Sequence, residues 1–404
     1  MATQDAQPVP FEPTEHSHRR WNPLRQEFVL CSPHRTKRPW QGAVEPPQLG
    51  SLPEYDDKCY LCPGNERAGG KKTEKYEGTF VFENDFAALL PSAVAPPPPS
   101  SPNPAVASLF RTEPARGRCF VICFSPRHDL TVAEMETEGV ERVVETWITL
   151  YKDVSAENPW IKYIQIFENK GAMMGCSNPH PHGQAWSLSY VPTIPKVMLE
   201  AQREYALEWE DSPVEEGVPR LSNGLPSLLL TYAASELALY RSSPDTSRVV
   251  YLGEHFLAVV PYWASWPFEV LVIGYRRHIP SLAYLTEEEK QDFAKTLVRV
   301  GRRYDNLFEC SFPYSLGVYQ APVHRPLSAE QLADPKSGED ASWAQLHVGF
   351  YPPLLRSATV RKFLVGFELF AETQRDITPE QAAARLREKS CEVHYKQAAK
   401  EEGK

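Results

Sequence analysis

Two histidines separated by one proline are the residues of this sequence best suited to chemistry. His180 and His182 stand in 171–186, which reads GAMMGCSNPHPHGQAW. If this part of the chain is extended, their side chains point to the same face, because side chains alternate along a strand. A neutral imidazole is a good nucleophile toward phosphorus, and the phosphoramidate that it forms is reactive enough for a two-step transfer. A pair of structural histidines in a loop is the alternative.

A pair of cysteines indicates a metal site. Cys59 and Cys62 have the C-x-x-C spacing of a zinc half-site, which needs two further ligands. The eight cysteines are scattered over 404 residues, whereas small secreted domains use cysteine far more densely. We therefore expect the pair to hold a metal and not to form a disulfide. Two reduced cysteines in a turn are the alternative.

The segment Arg35–Arg38 is where this chain would meet a phosphate group. The formal charge is −9 at pH 7, so no overall positive field attracts nucleic acid. Arginine side chains bind phosphate oxygens with two parallel hydrogen bonds. A solvated turn is the alternative for this segment.

The elements that would position these residues occur twice. The first copy has a strand at 118–124, a helix around 141–154, a strand at 163–167 and then the histidine pair. The second copy has a strand at 268–273, a helix that starts at Thr286, a strand near 314–318 and a strand that bears His347. This pattern predicts an α+β protein of two tandem units, each an antiparallel sheet with helices packed on one side. A chance repetition of common elements is the alternative.

The expected domains are 15–195, with the candidate nucleophile and metal site, and 196–395. We expect the tails 1–14 and 396–404 to be disordered, and a last helix is predicted from the N-cap residue Thr378. The sequence begins without an apolar signal core and has no run near the ~18 apolar residues of a membrane span, so we expect a cytoplasmic protein.

The segment Asn178–Gln184, NPHPHGQ, resembles the active-site signature of the galactose-1-phosphate uridylyltransferases, a branch of the histidine triad superfamily. Simple members of that superfamily have a third histidine at the position of Gln184, so the glutamine indicates transfer and not hydrolysis. Other segments are similar to the same family, and the resemblance spans residues 15 to 395; these segments are His18–Leu24, Ser32–Gly42, Phe82–Phe86 and Tyr351–Glu368.

The resemblance implies two tandem histidine-triad-like units and an exchange of UMP between UDP-glucose and galactose-1-phosphate. His182 would be the nucleophile that forms a uridylyl-histidine, and Gln184 would steady that intermediate. The substrate-binding residues that the resemblance implies are Arg35, Arg38, Asn84, Asp85, Asn169, Gly175, Cys176, Ser177, Gln184, Lys362, Phe363, Leu364, Val365, Phe367, Glu368 and Gln374.

Some of these residues differ from the family pattern, would act from a second subunit, or have another explanation. The group 362–374 would reach the hexose from the neighbouring subunit, which implies a homodimer. Phe367 stands where the family pattern has tyrosine, so a hydroxyl contact is absent there. Cys176 is as well explained as a buried apolar residue. An Asn-Asp pair such as Asn84–Asp85 is equally a turn device.

The resemblance also completes the metal site. His128 and His180 would join Cys59 and Cys62 as ligands of one structural Zn²⁺ per subunit. A second metal site known in the family is predicted to be absent, because its four positions hold Met198, Tyr319, His347 and Gly349.

Two other functions stay open at this point. One is a related nucleotidyl transferase or phosphorylase that acts on an ADP-sugar or a dinucleoside polyphosphate. The other is a zinc-stabilised binding protein without activity.

Overall fold

The strands form two sheets in this computed structural model, which describes residues 10–37, 46–92, 94, 96, 101–213, 217–323, 343–355, 357–362 and 364–403. Most strand sequences are rich in β-branched and aromatic residues, which favour pleated structure. In chain order the strands are β1 His18–Asn22, β2 Glu27–Cys31, β3 Phe80–Glu83, β4 Gly117–Cys123, β5 Tyr163–Lys170, β6 His182–Leu188, β7 Val249–Leu252, β8 Phe256–Val259, β9 Val270–Gly274, β10 Tyr314–Tyr319, β11 His347–Tyr351 and β12 Gln374–Arg375.

The larger sheet has nine strands in the order β3-β4-β6-β5-β10-β11-β9-β8-β7, and its neighbouring strands are antiparallel. The first half of the chain supplies four strands and the second half supplies five. They join where β5 pairs with β10, with Ile166 opposite Val318 and Lys170 opposite Tyr314. The two predicted sheets therefore lie edge to edge and form one continuous sheet. The smaller sheet has the order β1-β2-β12.

The helices differ widely in length. Within the described residues, none is long and apolar enough to cross a lipid bilayer. In chain order they are α1 Pro104–Ala107, α2 Thr137–Glu157, α3 Thr193–Glu208, α4 Leu228–Ser242, α5 Glu287–Phe308, α6 Phe367–Phe370, α7 Pro379–Arg387 and α8 Tyr395–Glu401.

One face of the large sheet is covered by α2 and α5, which pack beside each other. Trp147 of α2 and Phe293 of α5 are buried there, in one core with Ile164 of β5 and Val272 of β9. This is the helix layer that the sequence pattern predicts, and the predicted α+β fold class is confirmed. Burying one such apolar side chain stabilises the fold by about 1.5–3 kcal/mol, and the sum of these contributions holds the helices on the sheet.

The opposite face of the sheet differs between its two halves. Helix α4 covers β8 and β9, where its Leu229 packs in one cluster with Leu257 and Ile273. This second helix layer goes beyond the predicted one. On β5 and β6 the same face bears His182, Gln184 and other polar side chains, and it is the face that carries the candidate site.

The predicted helix starts are confirmed where local capping chemistry decides them. Thr286 accepts from the amide of Glu289, and the Glu289 side chain accepts from the amide of Thr286. Thr378 and Gln381 make the same reciprocal pair at the start of α7. Both patterns involve residues only three positions apart, so the sequence alone predicts these helix starts.

The prediction of a disordered C-terminal tail at 396–404 is wrong for residues 396–401, which belong to α8. Tyr395 donates its hydroxyl to the carbonyl of Gln48 at 2.7 Å, and Lys396 pairs with Glu134 at 2.8 Å. His394 caps the helix by accepting from the amide of Lys396. These partners are distant in sequence, which is why the pattern of the tail alone did not reveal the helix. Of the predicted N-terminal tail, residues 1–9 lie outside the described residues.

An ion network ties the small sheet to the second half of the chain. Glu380 of α7 accepts from Arg20 of β1 at 2.9 Å and from Arg248 at 2.8 Å, and Arg248 also pairs with Glu236 of α4 at 2.7 Å. Burial by itself raises the pKa of Glu380, but the hydrogen bond and charge of Arg20, with Arg248, outweigh it and lower the pKa to about 2.

We expect Glu380→Gln to lower the free energy of unfolding by about 2–4 kcal/mol at pH 7, since the buried Arg20 loses its carboxylate partner. The pKa of the Glu380 carboxyl is lowered to about 2 in the folded protein, from 4.5 for an unperturbed glutamate. Its stabilising effect is therefore complete above pH 4.5 and is lost as the pH falls toward 2, so the difference between the two proteins should shrink from pH 6 to pH 3. Urea unfolding across that range measures it.

Glu27→Gln is the matched control. Its pair with Arg25 spans 4.0 Å and both side chains are more than a third exposed, so we expect a change within about 0.5 kcal/mol. Equal stability of wild type and Glu380→Gln at pH 7 would contradict the assignment of this network.

Candidate active site and metal centre

Strand β6 presents alternate side chains to the open face of the sheet. His182, Gln184 and Trp186 point to this face, and Ala185 points to the core under α2. Gly183 allows the strand to lie close to its surroundings, because a Cβ at this position would come within 2.8 Å of the Phe124 ring. The strand thus begins at the residue that the sequence singles out as the candidate nucleophile.

The imidazole of His182 is oriented by one backbone contact. Its Nδ1 lies 2.8 Å from the carbonyl oxygen of His180, so Nδ1 carries the proton and donates. Nε2 then keeps a free lone pair, and the ring lines a cavity. Burial lowers the pKa of His182, and the bond to the His180 carbonyl offsets this only in part. The neutral, nucleophilic form of the ring is thereby favoured.

Gln184 is oriented by its neighbour on the strand. The indole Nε1–H of Trp186 donates to Oε1 of Gln184 at 3.1 Å. An indole nitrogen can only donate, so the amide oxygen must face Trp186. The amide NH₂ group of Gln184 is left to donate toward the cavity that the side chain lines.

The loop between β5 and β6 supplies the small residues near the site. Gly171 and Gly175 have φ of 87° and 79° around a single 3₁₀ turn, conformations that glycine adopts without strain. The amides of Gly175 and Cys176 donate within this turn, to Ala172 and Gly171. The Cys176 thiol donates to the carbonyl of Asn178 at 3.0 Å, and burial raises its pKa.

A cavity of about 380 Å³ gathers five of the predicted residues, which is a volume in the usual range for small-ligand sites. These residues are Asn84, Asp85, Ser177, His182 and Gln184. Its apolar walls include Leu61 from the C-x-x-C segment, Phe82 from β3 and Val121 from β4. The cavity therefore has both apolar walls and polar lining groups, and the His182 imidazole is one of the polar groups.

Asn84 and Asp85 follow β3 at the rim of this cavity. Oδ1 of Asn84 accepts from the amide of Phe86 at 2.9 Å, which closes a turn. The Asp85 carboxylate lies between two cations, with Lys71 Nζ at 3.3 Å and Arg67 Nε at 3.6 Å. The turn and the two charges fix the position of Asp85.

Cys59, Cys62, His128 and His180 form a buried cluster that could hold a metal ion. Their ligand atoms all lie within 4.8 Å of one another. Sγ of Cys62 is 3.6 Å from Nδ1 of His128 and 3.5 Å from Nδ1 of His180. A tetrahedral zinc ion with ordinary bond lengths would hold a sulfur and a nitrogen ligand about 3.6 Å apart. The donor set and its spacing therefore fit one closed tetrahedral site.

Groups around the cluster set the protonation of the ligands. Nε2 of His180 lies 2.9 Å from the carbonyl of Ser125 and 3.0 Å from the Tyr76 hydroxyl. A proton on Nε2 leaves the Nδ1 lone pair for the ion. The side-chain amide of Asn178 donates to Cys59 Sγ at 3.3 Å, a contact that would stabilise the sulfur of a metal-bound cysteine. The predicted ligand set is thus assembled with suitable outer contacts.

Four other predicted residues, Arg35, Lys362, Glu368 and Gln374, form a second group. Lys362 pairs with Glu368 at 2.9 Å and contacts the carbonyl of Gln374. Gln374 donates to Asp376 at 2.6 Å, and Arg35 lies 3.4 Å from the same carboxylate. In the described part of the chain, none of these residues lines the cavity of His182.

Other predicted residues lie apart from both groups or outside the description. Asn169 accepts from the Ser315 hydroxyl at 2.7 Å, on the open face of the sheet. Leu364, Val365 and Phe367 are exposed to solvent. Arg38 and Phe363 lie outside the described residues.

The four positions of the second metal site meet near β11. Met198, His347 and Gly349 border a space of about 40 Å³, and the Tyr319 ring stacks on His347 with centroids 5.1 Å apart. A Cβ at Gly349 would lie 2.7 Å from the Tyr351 hydroxyl, so Tyr351 occupies the room that a ligand side chain at 349 would need. The absence of a second metal stays a prediction, and this packing supports it.

Sequence reasoning missed several residues that shape the site. Arg67 beside Asp85, Trp186 beside Gln184 and Asp376 beside Arg35 were not singled out. For Trp186 a signal existed, because it lies two residues from Gln184 on one strand. Arg67 and Asp376 act across long sequence separations, and no local pattern identifies them.

The site thus combines the imidazole of His182 and the oriented amide of Gln184 at one cavity, beside a buried Cys₂His₂ cluster on antiparallel sheet. The chain belongs to the galactose-1-phosphate uridylyltransferase family. The family profile described as "Galactose-1-phosphate uridyl transferase, N-terminal domain" matches residues 9–192, and that of the C-terminal domain matches residues 220–399. The predicted family is confirmed.

Similar curated proteins span nearly the whole chain. The chain is 48% identical over 389 residues to a galactose-1-phosphate uridylyltransferase of Cryptococcus neoformans, covering 94% of this chain and 92% of the relative. It is 45% identical to that of Haemophilus influenzae, with 96% and 99% covered. It is 45% identical to that of Rattus norvegicus, with 97% and 92% covered.

Two solved structures share the fold. One is described as "Structure of uridylyltransferase", with a TM-score of 0.63, 24% identity, and 92% of this chain and 98% of that chain covered. The other is an ADP-glucose phosphorylase from Arabidopsis thaliana, with a TM-score of 0.62, 19% identity, and 93% and 100% covered. At these identities they support the fold alone.

Proposed function

We propose that this chain exchanges UMP between UDP-glucose and galactose-1-phosphate, giving UDP-galactose and glucose-1-phosphate, by a ping-pong mechanism through a uridylyl group on His182. The observation that carries the proposal is the orientation of His182. Its Nδ1 donates to the His180 carbonyl, which leaves the lone pair on Nε2, and the ring lines a cavity of about 380 Å³. The names of the full-length relatives supply galactose-1-phosphate and the uridylyl group, and the family resemblance supplies UDP-glucose as the donor.

In the first step the Nε2 lone pair of His182 attacks the α-phosphorus of UDP-glucose. A P–N bond forms, the bridging P–O bond breaks, and its electron pair leaves on glucose-1-phosphate. The leaving group is a phosphate, so no strong general acid is needed. In the second step a phosphate oxygen of galactose-1-phosphate attacks the same phosphorus, and the P–N bond breaks to restore the neutral imidazole.

Gln184 and Ser177 are the donors that we assign to the phosphoryl oxygens. The Gln184 amide faces the cavity because Trp186 holds its oxygen, and the Ser177 hydroxyl lines the same cavity. Donors fixed before the reaction stabilise developing charge without reorganisation. The small residues Gly175 and Cys176 provide the close turn, with their amides used inside it.

The uridine would occupy the compartment beside Asn84 and Asp85. The base would pack against the apolar walls, and the Asp85 carboxylate would accept from the ribose hydroxyls. An acidic group suits hydroxyl donors, and apolar walls suit a flat ring.

One zinc ion per subunit is the metal that we assign to Cys59, Cys62, His128 and His180. Zinc in a closed Cys₂His₂ site holds structure together and takes no part in bond making. His180 lies two residues before His182, so the cluster would fix the start of β6. Because cysteines bind zinc as thiolates, a reducing cytoplasmic location suits this site.

The hexose end of the site would come from a second copy of the chain, and the domains 15–195 and 196–395 would divide this work. Lys362, Glu368 and Gln374 are held together but do not line the cavity of their own chain, as far as the described residues show. Val365, Phe367 and Phe370 beside them expose 59%, 51% and 86% of their surface, as expected of a segment that another subunit covers.

The test is a labelling experiment without acceptor. We expect UDP-glucose to place UMP on His182, seen by peptide mass spectrometry, with one equivalent of glucose-1-phosphate released. Galactose-1-phosphate should then discharge the adduct as UDP-galactose. If ADP-glucose labels His182 and UDP-glucose does not, the substrate assignment is wrong. If neither nucleotide labels the zinc-loaded protein, the proposed reaction is wrong.

Trp186→Phe tests the orientation of Gln184. The ring contact with Phe167, at 5.8 Å between centroids, is retained by phenylalanine, but the donor to Gln184 Oε1 is lost. We expect kcat for uridylyl transfer to fall about 10-fold, since the amide is then free to flip. Steady-state kinetics measure this, with KM for UDP-glucose changed much less. Trp160→Phe is the control, because Trp160 packs on Arg116 away from the site. An unchanged kcat in Trp186→Phe would contradict the proposed orientation.

A further inference from the structure

Arg67 links the metal-binding segment to the nucleoside compartment. It follows Cys62 by five residues and opens a tight hairpin in which its amide donates to the carbonyl of Lys71 at 2.6 Å. Gly69 and Gly70 make the turn with φ of 73° and 75°. Asn65, just before the hairpin, donates to the carbonyl of Cys59 at 2.8 Å. The position of Arg67 is therefore set by the same segment that carries the two cysteines.

The guanidinium of Arg67 packs on a wall of the cavity. Its Cζ lies 3.9 Å from the centroid of the Phe82 ring, which is close enough for a cation–π contact. Phe82 lines the cavity, and only 10% of the Arg67 side chain is exposed. The flat guanidinium thus braces the ring against which a base would pack.

The same guanidinium lies against Asp85. Nε is 3.6 Å from Oδ2 of Asp85, whose side chain is 13% exposed. Nε and Nη1 of Arg67 are shielded from solvent, and no residue in the described ranges accepts a hydrogen bond from them. Buried arginine donors without acceptors are costly, so the place of Arg67 beside a single carboxylate calls for an explanation.

We propose that Arg67 is a positioning residue for the nucleoside: it holds the Asp85 carboxylate toward the ribose and braces Phe82 behind the base. The inference rests on the proposed function, in which Asp85 accepts from the ribose hydroxyls. Lys71 also contacts Asp85, but 66% of its side chain is exposed, so solvent weakens that pair. Arg67 is the more buried of these two partners, and its guanidinium is also packed on Phe82.

This role predicts a particular selectivity. A carboxylate held in place accepts from both ribose hydroxyls, so UDP should bind more tightly than 2′-deoxy-UDP. A site built to accept from a hydroxyl discriminates strongly against the analogue that lacks it. If Arg67 is removed, Asp85 is no longer held, and the preference should collapse even though the base still binds.

The experiment compares the affinities of UDP and 2′-deoxy-UDP by calorimetry in full-length, zinc-loaded protein. We expect wild type to prefer UDP by about 10-fold or more, and Arg67→Met to reduce the preference to about 2-fold. Asp85→Asn should do the same, and the double variant should show no further loss, because both changes break one contact. Arg67→Lys should give an intermediate preference, since lysine keeps the charge without the planar group. Lys71→Met should have the smallest effect.

The outcomes separate this inference from the proposed function. If Arg67→Met weakens both ligands equally and keeps the preference of wild type, with zinc still bound, Arg67 is merely structural and the inference is overturned. If Asp85→Asn also keeps the preference, the ribose contact fails and the inference fails with it. If wild type binds no UDP at all, the proposed function itself is wrong. In kinetics, a rise in KM for UDP-glucose with little change in kcat supports positioning of the nucleoside.

Discussion

Replacing His182 by alanine is expected to lower uridylyl transfer by about 10⁴-fold or more, because in the proposed mechanism this side chain forms the covalent intermediate. The affinity for UDP-glucose should change by only a few-fold, since Asn84, Asp85 and the apolar walls remain. Initial rates of UDP-galactose formation, together with calorimetry for UDP-glucose, measure both effects. The acceptor-free adduct should disappear completely.

His347→Gln is the matched control for this variant. His347 is a buried histidine on the same sheet, and its Nδ1 lies 2.8 Å from the carbonyl two residues earlier, as in His182. It borders a space of about 40 Å³ that contains none of the candidate site residues. We expect turnover within about 3-fold of wild type, as for substitutions away from the chemistry. Retained turnover in His182→Ala, or an equal loss in His347→Gln, would contradict the assignment of the nucleophile.

Replacing Cys62 by serine is expected to abolish stoichiometric zinc and to destabilise the protein by at least about 4 kcal/mol, because a structural zinc ion contributes folding free energy directly. Cys62 is fully buried, and its Sγ lies against both histidines of the cluster. Loss of the ion should free the segment that carries Leu61 and Arg67 as well as the residues before His182. Elemental analysis and thermal unfolding provide the measurements, and transfer activity should fall by about 100-fold.

Cys119→Ala is the control for the metal variant. Cys119 is equally buried on β4 but belongs to no metal-type cluster among the described residues. It should keep one zinc per subunit and lose only about 1 kcal/mol from the smaller side chain. Zinc retained in Cys62→Ser, or lost in Cys119→Ala, would show that the ligand set is wrong.

The sequence by itself determined what is written in short, local patterns. The capping residues at Thr286 and Thr378 predicted two helix starts, and the repeated order of elements predicted the strands on either side of the helix at 141–154. The NPHPHGQ segment indicated the family, which the full-length relatives confirm. Such patterns suffice because hydrogen bonding to the nearest backbone and the period of an element depend on neighbouring residues only.

The candidate metal ligands show an intermediate case. Spacing alone marked Cys59 and Cys62, whereas His128 and His180 came from the family resemblance. Only the fold shows that all four ligand atoms meet within 4.8 Å. Residues that are far apart in the sequence can be close in the folded chain. The sequence therefore indicated the types of the metal ligands but not that the four side chains lie together.

Tertiary structure alone decided the rest. Contacts between distant segments decide three features of the fold. They are the pairing of β5 with β10, the second helix layer formed by α4, and the folding of α8. The same holds for the direction of the Gln184 amide and for the placement of Arg67 against Asp85. These features depend on which buried polar groups form hydrogen bonds with each other and on which apolar surfaces pack together. Such contacts form only in the packed chain, and no periodic pattern in the sequence predicts them.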